Sequence, residues 1–320
     1  MSNNNRSAAI VKLAIWSAVA LILIAIFALM LVMQTDGIIS FGSGFHVSSR
    51  IYYEDAHLYN VGNITYSDEI KNIDVDWSAG KIDVVVWDGD AVKLEESGHG
   101  DVEQNKMRSR VDGDTLRIKF AKSGLKLSED EYKKSLVIYI PKDIALTLGE
   151  VDIAAAAAEV TVGDSEAAEA IVIACRHFEL NSASGSVKLN GVESDEVCVN
   201  AAAASVNFVG NAKEISVAGV SGSLSFSGEA NDISVEAVSS SVHLNLDNMP
   251  NEINVETVSG DVDISLPDDE NGFVAELDSL SGNMKYNSNK VGHSYTEGRG
   301  SSDFDFETVS GSVSIKTRTE

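Results

Sequence analysis

The sequence predicts an all-β protein: a parallel β-solenoid (β-helix) with an N-terminal β cap, preceded by one transmembrane helix. Three observations carry this expectation. Short strands with period-2 alternation recur along the chain and meet at small-residue corners. The first apolar residues of paired strands are nine positions apart in copy after copy. Residues 13–33 form an uncharged apolar run.

The clearest unit is Glu252–Leu266. Ile253 and Val255 alternate with Glu252, Asn254 and Glu256, the pattern of a strand with one buried face. After the Ser259-Gly260 corner, Val262 and Ile264 alternate with Asp261, Asp263 and Ser265. The nine-residue offset from Ile253 to Val262 recurs from Ile73 to Ile82, Val151 to Val160, Phe178 to Val187 and Val197 to Val206. It recurs again from Ile215 to Leu224, Ile233 to Val242, Ala275 to Met284 and Phe304 to Val313. Val187, Val206, Leu224, Val242, Val262 and Met284 are separated by 19, 18, 18, 20 and 22 residues. A period near twenty implies coils that each stack on the last, because one coil cannot bury its apolar edge alone. Val220, Val238, Val258, Leu280 and Val309 are expected to form a further inward column at the bend. The alternative is an antiparallel sandwich of hairpins, signalled by Asn190-Gly191 and Asn271-Gly272, but the other repeats lack such pairs.

In chain order, residues 1–12 are polar, with Arg6 and Lys12, and read as a cytoplasmic N-terminus. Leu13–Met33 is long enough to cross the ~30 Å hydrocarbon layer as a helix. It is longer than a signal-peptide core and ends in Leu31, Val32 and Met33, so an uncleaved anchor is expected, with the chain beyond Met33 outside the cell. Residues 34–66 read as an extracellular spacer, and Asn63-Ile64-Thr65 matches a glycosylation acceptor. Residues 67–145 read as the N-terminal β cap, ended by Pro141, and 146–317 as the solenoid repeats. Ala154–Ala158 is expected as strand, with a short helix as the alternative. Ile171 and Ile173 fit no register. Tyr286–Asp303 reads as a polar loop that lengthens one coil, and Lys316 and Arg318 as charges protecting a final edge strand.

The net charge of −25 argues against nucleic acid and anionic membrane surfaces as partners. Cys175 and Cys198 have no spacing that supports a disulfide; free thiols are favoured and a pair stays open. The outward second-strand column reads Lys188, Asn207, Ser225, His243, Asp263, Lys285 and Ser314; the first-strand column reads Glu179, Cys198, Ser216, Ser234, Asn254, Glu276 and Asp305. In these columns only Glu276 and Asp305 place carboxylates on neighbouring coils, far short of the roughly six to eight oxygens Ca²⁺ takes. Asp74–Gly80 resembles a calcium loop, but its glycine falls one place late and Val85 stands at position twelve. Ser123-Gly124-Leu125-Lys126 matches S-x-x-K without companion motifs. The histidines are dispersed, and His243 is expected as an exposed strand residue. No catalytic, cofactor-binding or metal residue is assigned, and no cofactor.

The corners carry a family resemblance. Thr257–Gly260, Thr308–Gly311, Val220-Ser221-Gly222 and Leu280-Ser281-Gly282 resemble the DUF4097 family of β-strand-repeat proteins, also described as "putative adhesins". So do Ile73–Val84, Leu136–Ile144 and Gly298–Lys316, and the likeness covers roughly residues 67–317. Ala158, Ala204 and Ser240 depart from it at corners where the family pattern has glycine. The resemblance implies a membrane-anchored bacterial surface protein and carries over no active-site residue.

The expected function is therefore a single-pass, membrane-anchored, non-enzymatic extracellular module, adhesin-like or envelope-associated. Its partners would be a cell-envelope or surface component of unknown identity and the membrane itself, through the N-terminal helix. The alternatives are an envelope-stress accessory protein that modulates a membrane partner and a polysaccharide-acting β-helix enzyme.

Overall fold

The computed structural model describes residues 55–98, 106–120, 134–163 and 173–318. Leu13–Met33, most of 34–66, Ser123–Lys126 and Ile171 lie outside the described residues, within which no helix is long and apolar enough to cross a membrane. The chain is all-β and solenoid-like, and its sheet does not close. It divides into two compact units at Ser194 and Asp195.

In the unit ending at Ser194, the strand Asn72–Trp87 bends at Gly80 and lies between two parallel neighbours. On one side Ile73, Val75, Ile82 and Val84 face Val151, Ile153, Val160 and Val162 of Leu148–Val162. These in turn face Phe178, Leu180, Val187 and Leu189. On the other side Thr115–Phe120 pairs with the first half of Asn72–Trp87, and Lys134–Pro141 with the second. Both of those strands carry antiparallel partners, Arg108–Asp112 and Val92–Gly98. Ile64–Tyr66, inside the stretch expected to be a spacer, joins this cap beside Val92–Leu94. Of these antiparallel pairs, only Arg108–Asp112 with Thr115–Phe120 is a hairpin of successive strands; Val92–Gly98 reaches Lys134–Pro141, and Ile64–Tyr66 reaches Val92–Leu94, across intervening strands.

Ala154–Ala158 is strand, not helix. Ala155 stands in register with Trp77, which is wholly buried against Phe120 at 4.8 Å. A larger residue at 155 would compete with the indole for core volume. Ile173, which the repeat left unplaced, is buried, and Cys175 pairs with Leu148. Both cysteines are free thiols.

In the unit beginning at Asp195, Ile215, Ile233, Ile253 and Phe304 form one buried column, and Leu224, Val242, Val262 and Val313 another. Ala275 and Met284 extend the columns by pairing with Phe304 and Val313. The coils are parallel, so the sandwich alternative is excluded here. The stacking order, however, departs from chain order: the last coil, Ser302–Ser310 with Ser312–Arg318, lies between the 252–267 coil and the 273–286 coil. The segment after Tyr286 folds back as Asn289–Lys290 and Ser294–Thr296, antiparallel to the outermost strands. Phe273 stacks on Phe304 at 4.8 Å, with Tyr286 and Tyr295 beside it. An aromatic plug therefore covers the core at this end, and apolar burial explains why the last coil is drawn inward. Lys316 and Arg318 thus guard no edge; Arg318 donates to Asn245 Oδ1 at 2.7 Å and to the Leu246 carbonyl.

The bend also differs from expectation. Val220, Val238, Val258 and Val309 are only half-buried, and Leu280 is 52% exposed, so this column faces outward. Strand alternation runs unbroken into the corner: Val255 in, Glu256 out, Thr257 in, Val258 out. Thr257 donates its buried hydroxyl to the Ser259 carbonyl at 3.2 Å. Glycine and non-glycine corners then alternate in Gly80, Ala158 and Gly185 and again in Ala204, Gly222, Ser240 and Gly260, whereas the two corners stacked beyond Gly260, Gly311 and Gly282, are both glycine. Gly185, Gly222 and Gly260 have φ of 134°, 143° and 145°, and a Cβ on any of them would collide with the carbonyl oxygen of Ala158, Ala204 or Ser240, at 2.2, 2.0 and 1.9 Å. The non-glycine corners are the regular counterpart of the glycine ones, not lapses in the repeat.

Candidate functional site

The most developed surface in the unit beginning at Asp195 is the outer side of its second strands. Parallel register sets Ser225, His243, Asp263 and Ser314 on successive rungs, with Lys285 beyond. Ser227, Asn245, Ser265 and Lys316 form the adjacent column. Strand alternation dictates this face, because each residue follows an inward Leu, Val, Met, Phe or Ile. A depression of ≈ 190 Å³ opens here, lined by residues of both columns and by Phe226, Leu244 and Ile264 beneath them. Arg318 holds Asn245 in place at one border.

Among the described residues, the hydroxyls of Ser225, Ser227, Ser265 and Ser314 bond to no other protein group, so their hydrogen-bonding capacity is turned to solvent. His243 and Asp263 approach to 3.3 Å, both about half exposed, at 51% and 54%. His243 is thus an exposed strand residue, as expected. Ser225, His243 and Asp263 succeed one another like a nucleophile–base–acid series, yet Ser225 makes no hydrogen bond to the imidazole. The backbone N–H groups around them are committed to sheet pairing. No backbone donor is left there to receive an oxyanion.

Glu276 and Asp305 do stand on adjacent rungs, as the columns predict. A longer acidic row escapes a comparison of one outward position per strand: Glu236, Glu256, Glu307 and Asp278 are also in register. Its signal lies at the next outward position of each first strand. Burial, followed by its acidic neighbours, pushes the carboxyls of Glu256, Asp305 and Glu307 above their ordinary range. Among the described residues no group of His, Cys, Asp and Glu has the geometry to hold a metal ion.

In the other unit, Asp74, Asp152 and Glu179 form a similar row. Arg117 binds Asp74 at 2.6 Å, while Asp152 keeps one carboxylate oxygen buried without a partner. Burial, then the charge of Glu179, raises Asp152 to about 7. A carboxyl raised on folding contributes stability at pH below about 4, its unfolded value. That contribution is lost as pH rises through about 7. Asp152→Asn is therefore expected to raise the urea midpoint at about pH 8 and to leave it nearly unchanged at about pH 4. An equal shift at both values would reject this account.

A family model described as Toastrack DUF4097 matches residues 70–316, spanning both units and the polar face. The chain belongs to this family. Among solved structures, this Toastrack protein is similar to a "putative adhesin" from Bacteroides fragilis, at 14% identity, covering 86% of this chain and 100% of that one, with a TM-score of 0.45. It is similar to a "putative adhesin" from Parabacteroides distasonis, at 16% identity, with 81% and 97% covered and a TM-score of 0.46. A "putative lipid binding protein" from the same species gives 14% identity, 81% and 96% coverage and a TM-score of 0.43. No curated protein matches the chain.

Proposed function

We propose that this Toastrack protein is a non-enzymatic interaction module, adhesin-like or envelope-associated, held at the outer side of a membrane by Leu13–Met33. The observation that carries the reading is the in-register array of Ser, Asn, His, Asp and Lys side chains around the ≈ 190 Å³ depression. A rigid sheet fixes their spacing, so a repeating polar ligand meets donors and acceptors at a constant interval without ordering the protein first. The same rigidity, with the backbone N–H groups beside Ser225 committed to sheet pairing and no hydrogen bond from Ser225 to His243, favours holding over turnover. A cell-wall glycan or another repeating envelope polymer fits this surface.

The test is retention of the detergent-solubilised full chain on cell-wall material stripped of membrane. Ser265→Arg places a bulky cation in the depression on an outward position that leaves the core untouched. Retention is expected to fall about tenfold, the effect of roughly 1.4 kcal/mol. Unaltered retention, or release of soluble sugar ends by the wild-type chain, would refute the proposal.

A further inference from the structure

A second surface lies on the outer side of the first strands in the unit beginning at Asp195. Glu236, Glu256, Glu307 and Asp278 occupy successive rungs there, and no ion pair among the described residues engages them. Rungs of a sheet are about 4.8 Å apart, so these like charges oppose one another directly, an unfavourable arrangement. Two residues further along the chain stand the half-buried Val238, Val258 and Val309, still on their strands, and the exposed Leu280, just past the end of Phe273–Ser279. The Ser281 N–H bonds to the Val309 carbonyl, which keeps the 280 and 309 positions side by side. An acidic row and an apolar ridge thus run together along the stacking direction.

We propose that this surface docks an amphipathic α-helix of a partner protein, one with Lys or Arg in one stripe and aliphatic side chains in the next. Charge complementarity selects the sign, and the ridge selects an amphipathic rather than a merely cationic ligand. Spacing selects the helix: one turn advances about 5.4 Å, close to the ~4.8 Å between rungs. An extended segment repeats its side chains on one face every ~6.6 Å and falls out of step within two rungs. Over four rungs the helical mismatch is roughly 2 Å, within the reach of a lysine side chain. Docked cations would also offset the repulsion that acidic neighbours add to burial in pushing Glu256 and Glu307 upward.

The experiment titrates the full chain with a synthetic helical peptide carrying adjacent Lys and Leu stripes, and with a scrambled peptide of the same composition. The striped peptide is expected to bind more tightly. Glu256→Gln with Glu307→Gln should weaken its binding about tenfold and flatten its salt dependence. Because that variant removes like-charge crowding, its unfolding midpoint should hold or rise, which separates lost docking from lost folding. Leu280→Ser should weaken binding about threefold with the salt dependence retained. Equal binding of the scrambled peptide would overturn the proposal, as would wild-type affinity in the double variant.

Discussion

Gly260→Ala is expected to destabilise the unit beginning at Asp195 by about 3 kcal/mol or more, read as a drop in the urea midpoint. Two physical effects coincide. At φ 145° an L-residue is strained. In addition, a Cβ at this position would lie 1.9 Å from the Ser240 carbonyl oxygen, a main-chain atom held by sheet pairing. The neighbouring corner supplies the control. Ser240 takes an ordinary backbone conformation, so Ser240→Ala should shift the midpoint by less than about 0.5 kcal/mol. Equal effects at both positions would disprove the alternating-corner account.

Val255→Asp is expected to be at least as damaging, about 4 kcal/mol or more. Val255 is 1% exposed and stands in register between Val235 and Phe306, with no cation on either rung. A carboxylate there has no partner and no water. Glu256, one residue along, faces out, so Glu256→Gln should leave the midpoint unchanged or higher. A wild-type midpoint for Val255→Asp would mean that the inward and outward faces have been exchanged.

These faces were legible because the nine-residue offset and the two-residue alternation are both local properties. Ile233, Val242, Ile253 and Val262 could be placed from their own neighbours in sequence. Stacking order is not local. Every coil has the same inward pattern, so nothing in Ser302–Arg318 states which coil it will touch. Only the bulk of Phe273, Phe304 and Tyr286 hinted at a plugged end. The corner valines were misplaced for a different reason: the turn was assumed to interrupt alternation, although Thr257 and Thr308, both buried, continue it inward. The polar face was readable in the column from Ser225 to Ser314, but its depression depends on side-chain sizes across neighbouring coils. The acidic row needed comparison of every outward position, since Glu236, Glu256, Glu307 and Asp278 are unremarkable within their own strands.

The inward seat of Ser302–Arg318 has a consequence for how the molecule is made. As the chain leaves the ribosome, Phe273–Tyr286 emerges before the strands it must rest upon. Its eventual site is bare until Ser302–Arg318 arrives. Growth by simple addition at the tip is thereby ruled out for this part of the protein. The aromatic lid must wait in an unfinished state, and a chain stalled before Ser302 would present sticky, unpaired backbone to whatever chaperone or aggregate reaches it first.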